Sequence, residues 1–340
     1  MTEANDSTRV MFYAHFNKFG RVDDYVVYQL EQMRRLFDKV VMISNSPVCE
    51  ADEKRLAGVT DKLIQRKNLG YDFAAWRDGM DDFGWDTLVK CEQLTLMNDT
   101  CFGPLFDFGA IFDQMQSRGA DFWGMTTNIA LTDVLLDSRG RVTFAPTHLQ
   151  SYFMTFNQNV VQSEAFRHFW ASIEDFADVL DVITNYEIRL TELLAENGFT
   201  YDSFFDAPGF WGMTQLDKTQ VDISAQSTGD MAKYNPGYTC CRPLWLLETV
   251  DTYPFIKTKA IRVVPAQWPG LREFIIKHTD YPVQLIDTYI GARYFDLWKE
   301  KDDDVEFLLH TRAYRLGRAL LGPLRFVKRT VAPRPSHTGS

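Results

Sequence analysis

Short apolar runs alternate with amphipathic segments from residue 9 to about residue 125, and this alternation restricts the fold more than any other feature. Arg9–His15 reads as a buried strand built on Val10, Met11, Phe12, Tyr13 and Ala14. Val40–Ile43, a short strand at Leu63–Ile64, Leu94–Met97 and Phe122–Met125 follow. Between them, Val26, Val27, Leu30, Met33 and Phe37 recur at helical spacing behind a capping Asp23. A helix is expected to start near Phe73, and Leu105, Ile111, Phe112 and Met115 mark another. Strand and helix in strict alternation predict βαβ units and an α/β fold with a mostly parallel central sheet flanked by helices.

Beyond residue 125 the pattern changes. Residues 126–147 read as polar and irregular, with a turn at Arg139–Gly140–Arg141, and Leu149–Phe156 as one long aromatic strand. Ser163 opens a helix carrying Phe166, Trp170, Ile173 and Phe176 on one side; Thr184 begins the next, and Gly198 stops it. Residues 200–238, rich in Asp, Gly, Thr and Gln, read as a loop region over a cleft. Arg242–Ala260 and Gln284–Trp298 look helical, and Val331–Ser340 reads as a disordered tail.

Charge narrows the partners. The formal net charge is −10, yet residues 311–340 carry seven basic groups and no acid, so the body is strongly acidic. That balance argues against a nucleic-acid partner. The basic segment, with Leu316, Leu320, Leu324 and Val327 between its arginines, suits either packing on the body or a peripheral contact with an anionic membrane through residues 311–330. Five cysteines without a CxxC pair, no basic and apolar leader and no long apolar run point to a reduced, cytoplasmic setting, with any membrane contact at the inner face. The absence of GxGxxG after the first strand, of GxxxxGK[ST] and of GxSxG disfavours a dinucleotide dehydrogenase, a P-loop enzyme and an α/β-hydrolase.

In an open α/β sheet, ligands bind beyond the carboxyl ends of the strands, and three polar clusters are expected there. Asp99, in Asn98-Asp99-Thr100, can hold Mg²⁺ or Mn²⁺ against phosphate oxygens or close an Asx turn. In the segment Asn68–Gly79, Gly70 permits unusual backbone. Asp72 or Asp78 can hold sugar hydroxyls and Arg77 can meet a phosphate, or the segment is a polar loop with a capped helix. Glu187 can serve as a general base, or Thr184-Asn185-Tyr186-Glu187 is a capping box that occupies the same side chain. His15 and Asn17 end the first strand and Asn45 follows the second, all three as donor contacts. His148, Gln150 and Tyr152 alternate onto one strand face as acceptor contacts. Lys257 and His278 are late candidates for a phosphate or metal contact.

Together these segments resemble the inverting glycosyltransferases of the GT-A fold. Asn68-Leu69-Gly70 with Arg77-Asp78-Gly79 is similar to their N-x-G…R-N-x-G element. Asn98-Asp99-Thr100 stands at their D-x-D metal motif, and Tyr186-Glu187-Ile188-Arg189 with Gly198-Phe199 resembles their base-bearing helix. A closer resemblance is to the rhamnan synthesis protein F family. It is carried by Gly70-Tyr71-Asp72-Phe73-Ala74-Ala75-Trp76, Leu96–Pro104, Trp123-Gly124-Met125-Thr126, His148–Phe153 and Pro254-Phe255-Ile256-Lys257, across roughly residues 9–290. The resemblance implies a GT-A-like catalytic domain over 1–240, a mostly helical extension over 241–330 and a tail over 331–340. It implies a nucleotide-sugar donor, dTDP-L-rhamnose, and a glycan or lipid-linked glycan acceptor. Asp99 would take the metal and diphosphate, Glu187 the acceptor proton, and Asn68, Gly70 and Asp72 the donor nucleotide. Two positions depart from the pattern: the first D-x-D acid is replaced, and the E-D pair is Glu187-Ile188. Two alternatives stay open, a catalytically inactive glycan- or nucleotide-binding module and a glycosyltransferase using another nucleotide sugar; a nucleotidyltransferase would call for paired metal-binding carboxylates and a basic phosphate pocket, and the sequence displays neither clearly.

Overall fold

The computed structural model describes residues 8–128, 131–136, 142–145, 147–205, 243–250, 252–263 and 265–299. Strands β1 (Arg9–His15), β2 (Lys39–Ser44), β3 (Lys62–Gln65) and β4 (Gln93–Asn98) alternate with helices α1 (Asp24–Met33), α2 (Glu50–Leu56), α3 (Tyr71–Phe83) and α4 (Trp85–Leu88). Then come β5 (Cys101–Phe102), α5 (Phe108–Arg118), β6 (Phe122–Asn128), β7 (Leu131–Leu136), β8 (Val142–Ala145), β9 (His148–Leu149) and β10 (Phe153–Asn157). Helices α6 (Gln158–Val161) and α7 (Glu164–Ala171) lead to α8 (Val179–Val182), a π-helical stretch Ile183–Glu187 and α9 (Ile188–Glu196), followed by β11 (Tyr201–Phe205). The C-terminal part contributes α10 (Pro243–Thr249), β12 (Ile256–Lys257), α11 (Thr258–Val263), α12 (Trp268–His278) and α13 (Gln284–Lys299).

The main sheet runs β11-β6-β10-β4-β1-β2-β3, with β9 added beside β6. β1 lies parallel to β2 and β4, β2 to β3 and β6 to β11, whereas β10 is antiparallel to both β4 and β6. The fold is therefore α/β with a mostly parallel sheet. Successive side chains of a strand point to opposite faces, and β1 sorts its residues accordingly. Met11 and Tyr13 join a core with residues of α1, α5, α12 and α13; Val10, Phe12 and Ala14 join a second core with residues of α3, α7 and α9. Helices cover both faces, which is why these strands read as continuous apolar runs rather than alternating ones. α3 lies so close to the sheet that a Cβ on Gly79 would stand 2.8 Å from Ile43 Cδ1 and 3.0 Å from Phe12 Cδ1.

The C-terminal elements are built onto this sheet layer. β12 pairs antiparallel with β5, Ile256 opposite Phe102 and Lys257 opposite Cys101. Tyr253, Phe255, Trp268, Ile286 and Ile290 share one core with Phe102 and Phe108.

Several expectations change. Residues 126–128 continue β6, and β7 and β8 form an antiparallel pair where an irregular stretch was expected. Thr126, Thr127 and Asn128 hide the strand in a polar composition, although threonine suits a pleated surface. The Arg139–Gly140–Arg141 turn lies outside the described residues. The long aromatic strand is split by a turn at Ser151–Tyr152 into β9, which pairs with β6, and β10, which lies between β4 and β6. Ser163 caps α7 as its spacing predicts, accepting from Phe166 N at 3.1 Å, but the helix stops at Ala171, ahead of Ile173 and Phe176. Of Arg242–Ala260, only Pro243–Thr249 and the start of α11 are described as helical; β12 intervenes. Residues 201–205 form an edge strand rather than loop, with Ser203 set beside Gly124. Residues 206–242 and 300–340, including Cys240, Cys241 and the basic C-terminal segment, lie outside the described residues.

Candidate functional site

A cleft of about 760 Å³ opens beyond the carboxyl ends of β1, β2 and β4. His15, Asn17, Asn45, Asn68, Asp72, Asn98, Asp99, His148, Gln150 and Glu187 all line it. Residues far apart in the chain thus converge because the parallel strands deliver their carboxyl ends to one edge.

Asp99 sits on the floor, with its backbone and side chain both pinned. Its amide donates to the Ala14 carbonyl at 3.2 Å, its carbonyl accepts from Tyr25 OH at 2.7 Å, and Oδ2 accepts from Phe16 N at 2.9 Å. The Asx turn at this strand end belongs to Asn98 instead, whose Oδ1 accepts from Thr100 N at 3.2 Å and Thr100 Oγ1 at 2.6 Å. Asn98 Nδ2 donates to Asp72 Oδ2 at 2.9 Å. Both ends of the amide are therefore committed within the protein.

Burial pushes the Asp99 carboxyl up to about 7, with Asp23 and Asp72 adding to the Phe16-opposed rise. Burial, and then the charge of Glu187, pushes Asp72 up to about 6. His15 is buried, shares a 2.9 Å hydrogen bond with Ser44 Oγ and is pulled down to about 4 by desolvation. Its imidazole is neutral at pH 7, so the 4.0 Å approach of Nε2 to Asp99 Oδ2 is not an ion pair.

Glu187 closes the π-helical stretch and faces the same cleft, where Oε1 accepts from Ser151 N at 3.2 Å. The capping-box reading fails. The helical run begins at α8, where Asp178 caps Leu180 N at 2.8 Å, and Thr184 lies inside it, its hydroxyl donating to the Leu180 carbonyl at 2.8 Å. One extra residue in a π turn re-aims the side chains around it.

The remaining polar lining is partly internal. Asn17 Nδ2 donates to Asp23 Oδ2 at 3.1 Å, and Asn45 bridges Arg66 and the Tyr71 carbonyl. Asn68 Oδ1 is buried without a hydrogen-bond partner. Gln150 Oε1 accepts from Thr126 Oγ1 at 2.6 Å, and His148 is buried at the rim.

Five expected site residues do not reach the cleft. Arg77 is five residues past Asp72 and so turns away from it on α3. It donates to the Ile173 carbonyl at 2.7 Å and pairs with Asp175 and Asp78, while Asp78 is held by Arg66 Nε at 2.6 Å. Gly70 caps α3 at φ 69°, and a Cβ there would stand 2.5 Å from Ala74 Cβ and 3.1 Å from the Glu174 carbonyl; it serves packing. Tyr152 is buried beneath the site, its hydroxyl 2.6 Å from Tyr253 OH. His278 lines a separate depression with Arg35 and Asp280.

Sequence reasoning missed Lys18, Arg21, Asp23 and Tyr25, which follow β1 and were open to the same strand-end argument. It also missed Lys259, Tyr289 and Arg293. Tyr289 and Arg293 share a helix face at i, i+4, but nothing local in α13 marks them as facing a distant sheet edge.

The donor set tests a divalent cation. Among the described residues no group of three or more His, Cys, Asp or Glu is arranged to hold a metal. Asp99 offers one carboxylate to the cleft, and Asn98 offers nothing. Such a floor fits an ion that takes one protein carboxylate and completes its shell with substrate oxygens and water, as Mg²⁺ commonly does. It does not fit a cage made of protein alone.

The fold and the cleft define an α/β protein whose polar machinery sits at the carboxyl edge of a mostly parallel sheet. The family described as Rhamnan synthesis protein F matches residues 40–313, and the chain belongs to it. Among curated proteins, the chain is 32% identical over 178 residues to the uncharacterized protein y4gN of Sinorhizobium fredii, covering 51% of this chain and 43% of that one. It is 27% identical over 162 residues to the virulence protein VirA of Vibrio anguillarum, covering 47% and 46%. The chain thus spans less than half the length of these relatives. Among solved structures, it is similar to a 4-diphosphocytidyl-2C-methyl-D-erythritol synthase, with 11% identity, coverage of 58% and 89% and a TM-score of 0.35. It is also similar to core-mannan synthase A of Aspergillus fumigatus in its Mn/GDP form, with 8% identity, coverage of 60% and 73% and a TM-score of 0.31. No described helix is long and apolar enough to cross a membrane.

Proposed function

We propose that this chain is a glycosyltransferase that moves a sugar from a nucleoside diphosphate to a glycan hydroxyl, with dTDP-β-L-rhamnose as donor and inversion at the anomeric carbon. The observation that carries the reading is the convergence of Asp99 and Glu187 on one cleft of about 760 Å³, roomy enough for an activated sugar. Family membership supports the same reading.

Glu187 removes the proton of the acceptor hydroxyl. The hydroxyl oxygen forms a bond to the anomeric carbon from the face opposite the leaving group, and the carbon–oxygen bond to the diphosphate breaks with its electron pair staying on the phosphate. Asp99 would hold Mg²⁺ or Mn²⁺ on the diphosphate side of the donor, and such an ion would supply positive charge to the departing oxygen. Asn98 fixes Asp72 and the turn that presents Asp99. Asn45, Asn68 and Asp72 lie where the donor nucleotide is expected. His148 and Gln150, on the Glu187 side, are the acceptor contacts, and the acceptor is a growing glycan or lipid-linked glycan.

Domain limits of 1–240 and 241–330 and a peripheral membrane contact through 311–330 belong to the same proposal. Liposome co-sedimentation with and without residues 311–340 tests the membrane contact.

One observation favours a second reading. Asn98 is neutral and internally committed, and a binding module that has lost its chemistry is compatible with that. The test is a thermal-shift series of the full chain with dTDP-rhamnose and UDP- and GDP-sugars, with and without Mn²⁺, followed by assay of nucleoside diphosphate release. A bound ligand raises the melting temperature by mass action. Stabilisation by dTDP-rhamnose with release of dTDP supports the enzyme; stabilisation without release supports the module; no response to any nucleotide sugar overturns both.

A further inference from the structure

Lys257 lines the same cleft as Asp99 but enters it from the C-terminal part of the chain, where backbone pairing sets its place. β12 places it opposite Cys101, and Thr258 N donates to the Thr100 carbonyl at 2.8 Å. Its position relative to the end of β4 is thus set by a ladder rather than by a flexible stem. The ammonium is oriented as well: Nζ donates to Thr100 Oγ1 at 3.1 Å and lies 3.8 Å from the centroid of the Tyr152 ring. That ring is buried and anchored through its hydroxyl to Thr126 and Tyr253, so it forms a fixed platform.

Both of these contacts are with neutral groups. An ammonium has three donors, and Thr100 takes one. Thr100 in turn donates to Asn98 Oδ1, so its hydroxyl is polarised to accept from Lys257. The charge faces a cleft lined by Asp23, Asp72, Asp99 and Glu187, in which the residue preceding Asp99 at the end of β4 is the neutral Asn98 rather than a second acid.

We propose that Lys257 is the leaving-group cation of this site, binding the terminal phosphate of the departing nucleoside diphosphate in the place left by the neutral Asn98. The inference rests on the glycosyl-transfer reading. As the bond between the anomeric carbon and the phosphate oxygen breaks, the electron pair remains on that oxygen. Lys257 stays protonated and donates two hydrogen bonds to the phosphate, and no proton moves through it. This role also accounts for Tyr152: it touches no ligand, but it holds the amine that does.

The experiment compares full-length wild type, Lys257→Met and Lys257→Arg. Calorimetric titration with dTDP, UDP and GDP and their monophosphates, with and without Mn²⁺, reads the terminal-phosphate contact directly. Wild type is expected to prefer a diphosphate to its monophosphate. Lys257→Met is expected to lose about tenfold to a hundredfold in diphosphate affinity with monophosphate affinity within twofold, the scale of a charge-assisted hydrogen bond. Lys257→Arg is expected to recover most of it. Lys257→Met with the full diphosphate preference of wild type overturns the role of Lys257 and leaves the transfer reading standing. Wild type that binds no nucleoside diphosphate overturns both. Should Lys257→Met fail to fold, Lys257→Gln replaces it, with Lys257→Arg as the charge-retaining reference.

Discussion

Replacing Asp99 by asparagine is expected to make the protein more stable at pH 8 while abolishing its activity. The carboxyl is 15% exposed, and burial raises it from 3.8 to about 7. A raised acid favours folding only while it is protonated. Below about pH 4 the group is neutral in both the folded and the unfolded chain and contributes no difference. As the pH rises from 4 to 7 the unfolded carboxyl ionises and the folded one resists, so stability is lost throughout that window. Above pH 7 the loss levels at about 4 kcal/mol. Asparagine is isosteric, its amide oxygen can accept the Phe16 amide, and it carries no charge to bury. Asp99→Asn is therefore expected to exceed wild type by up to about 4 kcal/mol at pH 8 and by only about 1.5 kcal/mol at pH 5. Urea denaturation of both proteins at the two pH values measures this, and loss of the Mn²⁺-dependent response to dTDP gives a second readout. A variant no more stable than wild type at pH 8, or a gap independent of pH, refutes the reasoning. Such a cost carried in the resting protein is what a site built to receive cationic charge would show.

Two further substitutions separate architecture from chemistry. Gly70→Ala is expected to destabilise by about 1–3 kcal/mol, because φ is 69° and the new Cβ meets Ala74 and the Glu174 carbonyl; chemical denaturation checks it. Arg77→Met is expected to cost about 1–3 kcal/mol by leaving the Ile173 carbonyl without its Arg77 donor and Asp175 with Arg66 alone, yet to keep dTDP affinity within twofold. A large loss of affinity at normal stability contradicts its placement outside the cleft.

The parallel half of the fold was legible because β1, β2 and β4 are buried on both faces and therefore read as apolar runs. β6 beyond Met125, the β7–β8 pair and β11 were not legible: their residues are polar or mixed, and only neighbours distant in sequence make them strands. The strand-end rule found Asp99, Asn45 and the β1 terminus but failed on side-chain direction. Arg77 and Asp78 share a segment with Asp72 yet lie on another face of α3. Glu187 had two local readings, and the start of α8 at Val179 decided against the cap. The placement of Lys257 at the cleft depends on β12 pairing with β5, a contact between segments that no local pattern joins.

The central claim is that Glu187 and Asp99 work on one donor across one cleft. The most direct measurement is release of dTDP from dTDP-β-L-rhamnose in the presence of a rhamnose-containing oligosaccharide acceptor, for wild type and Glu187→Gln under identical Mn²⁺. Wild type is expected to release dTDP and form the α-linked product. Glu187→Gln is expected to bind dTDP normally and turn over about 10²- to 10⁴-fold more slowly. Equal turnover in the two folded proteins contradicts the account.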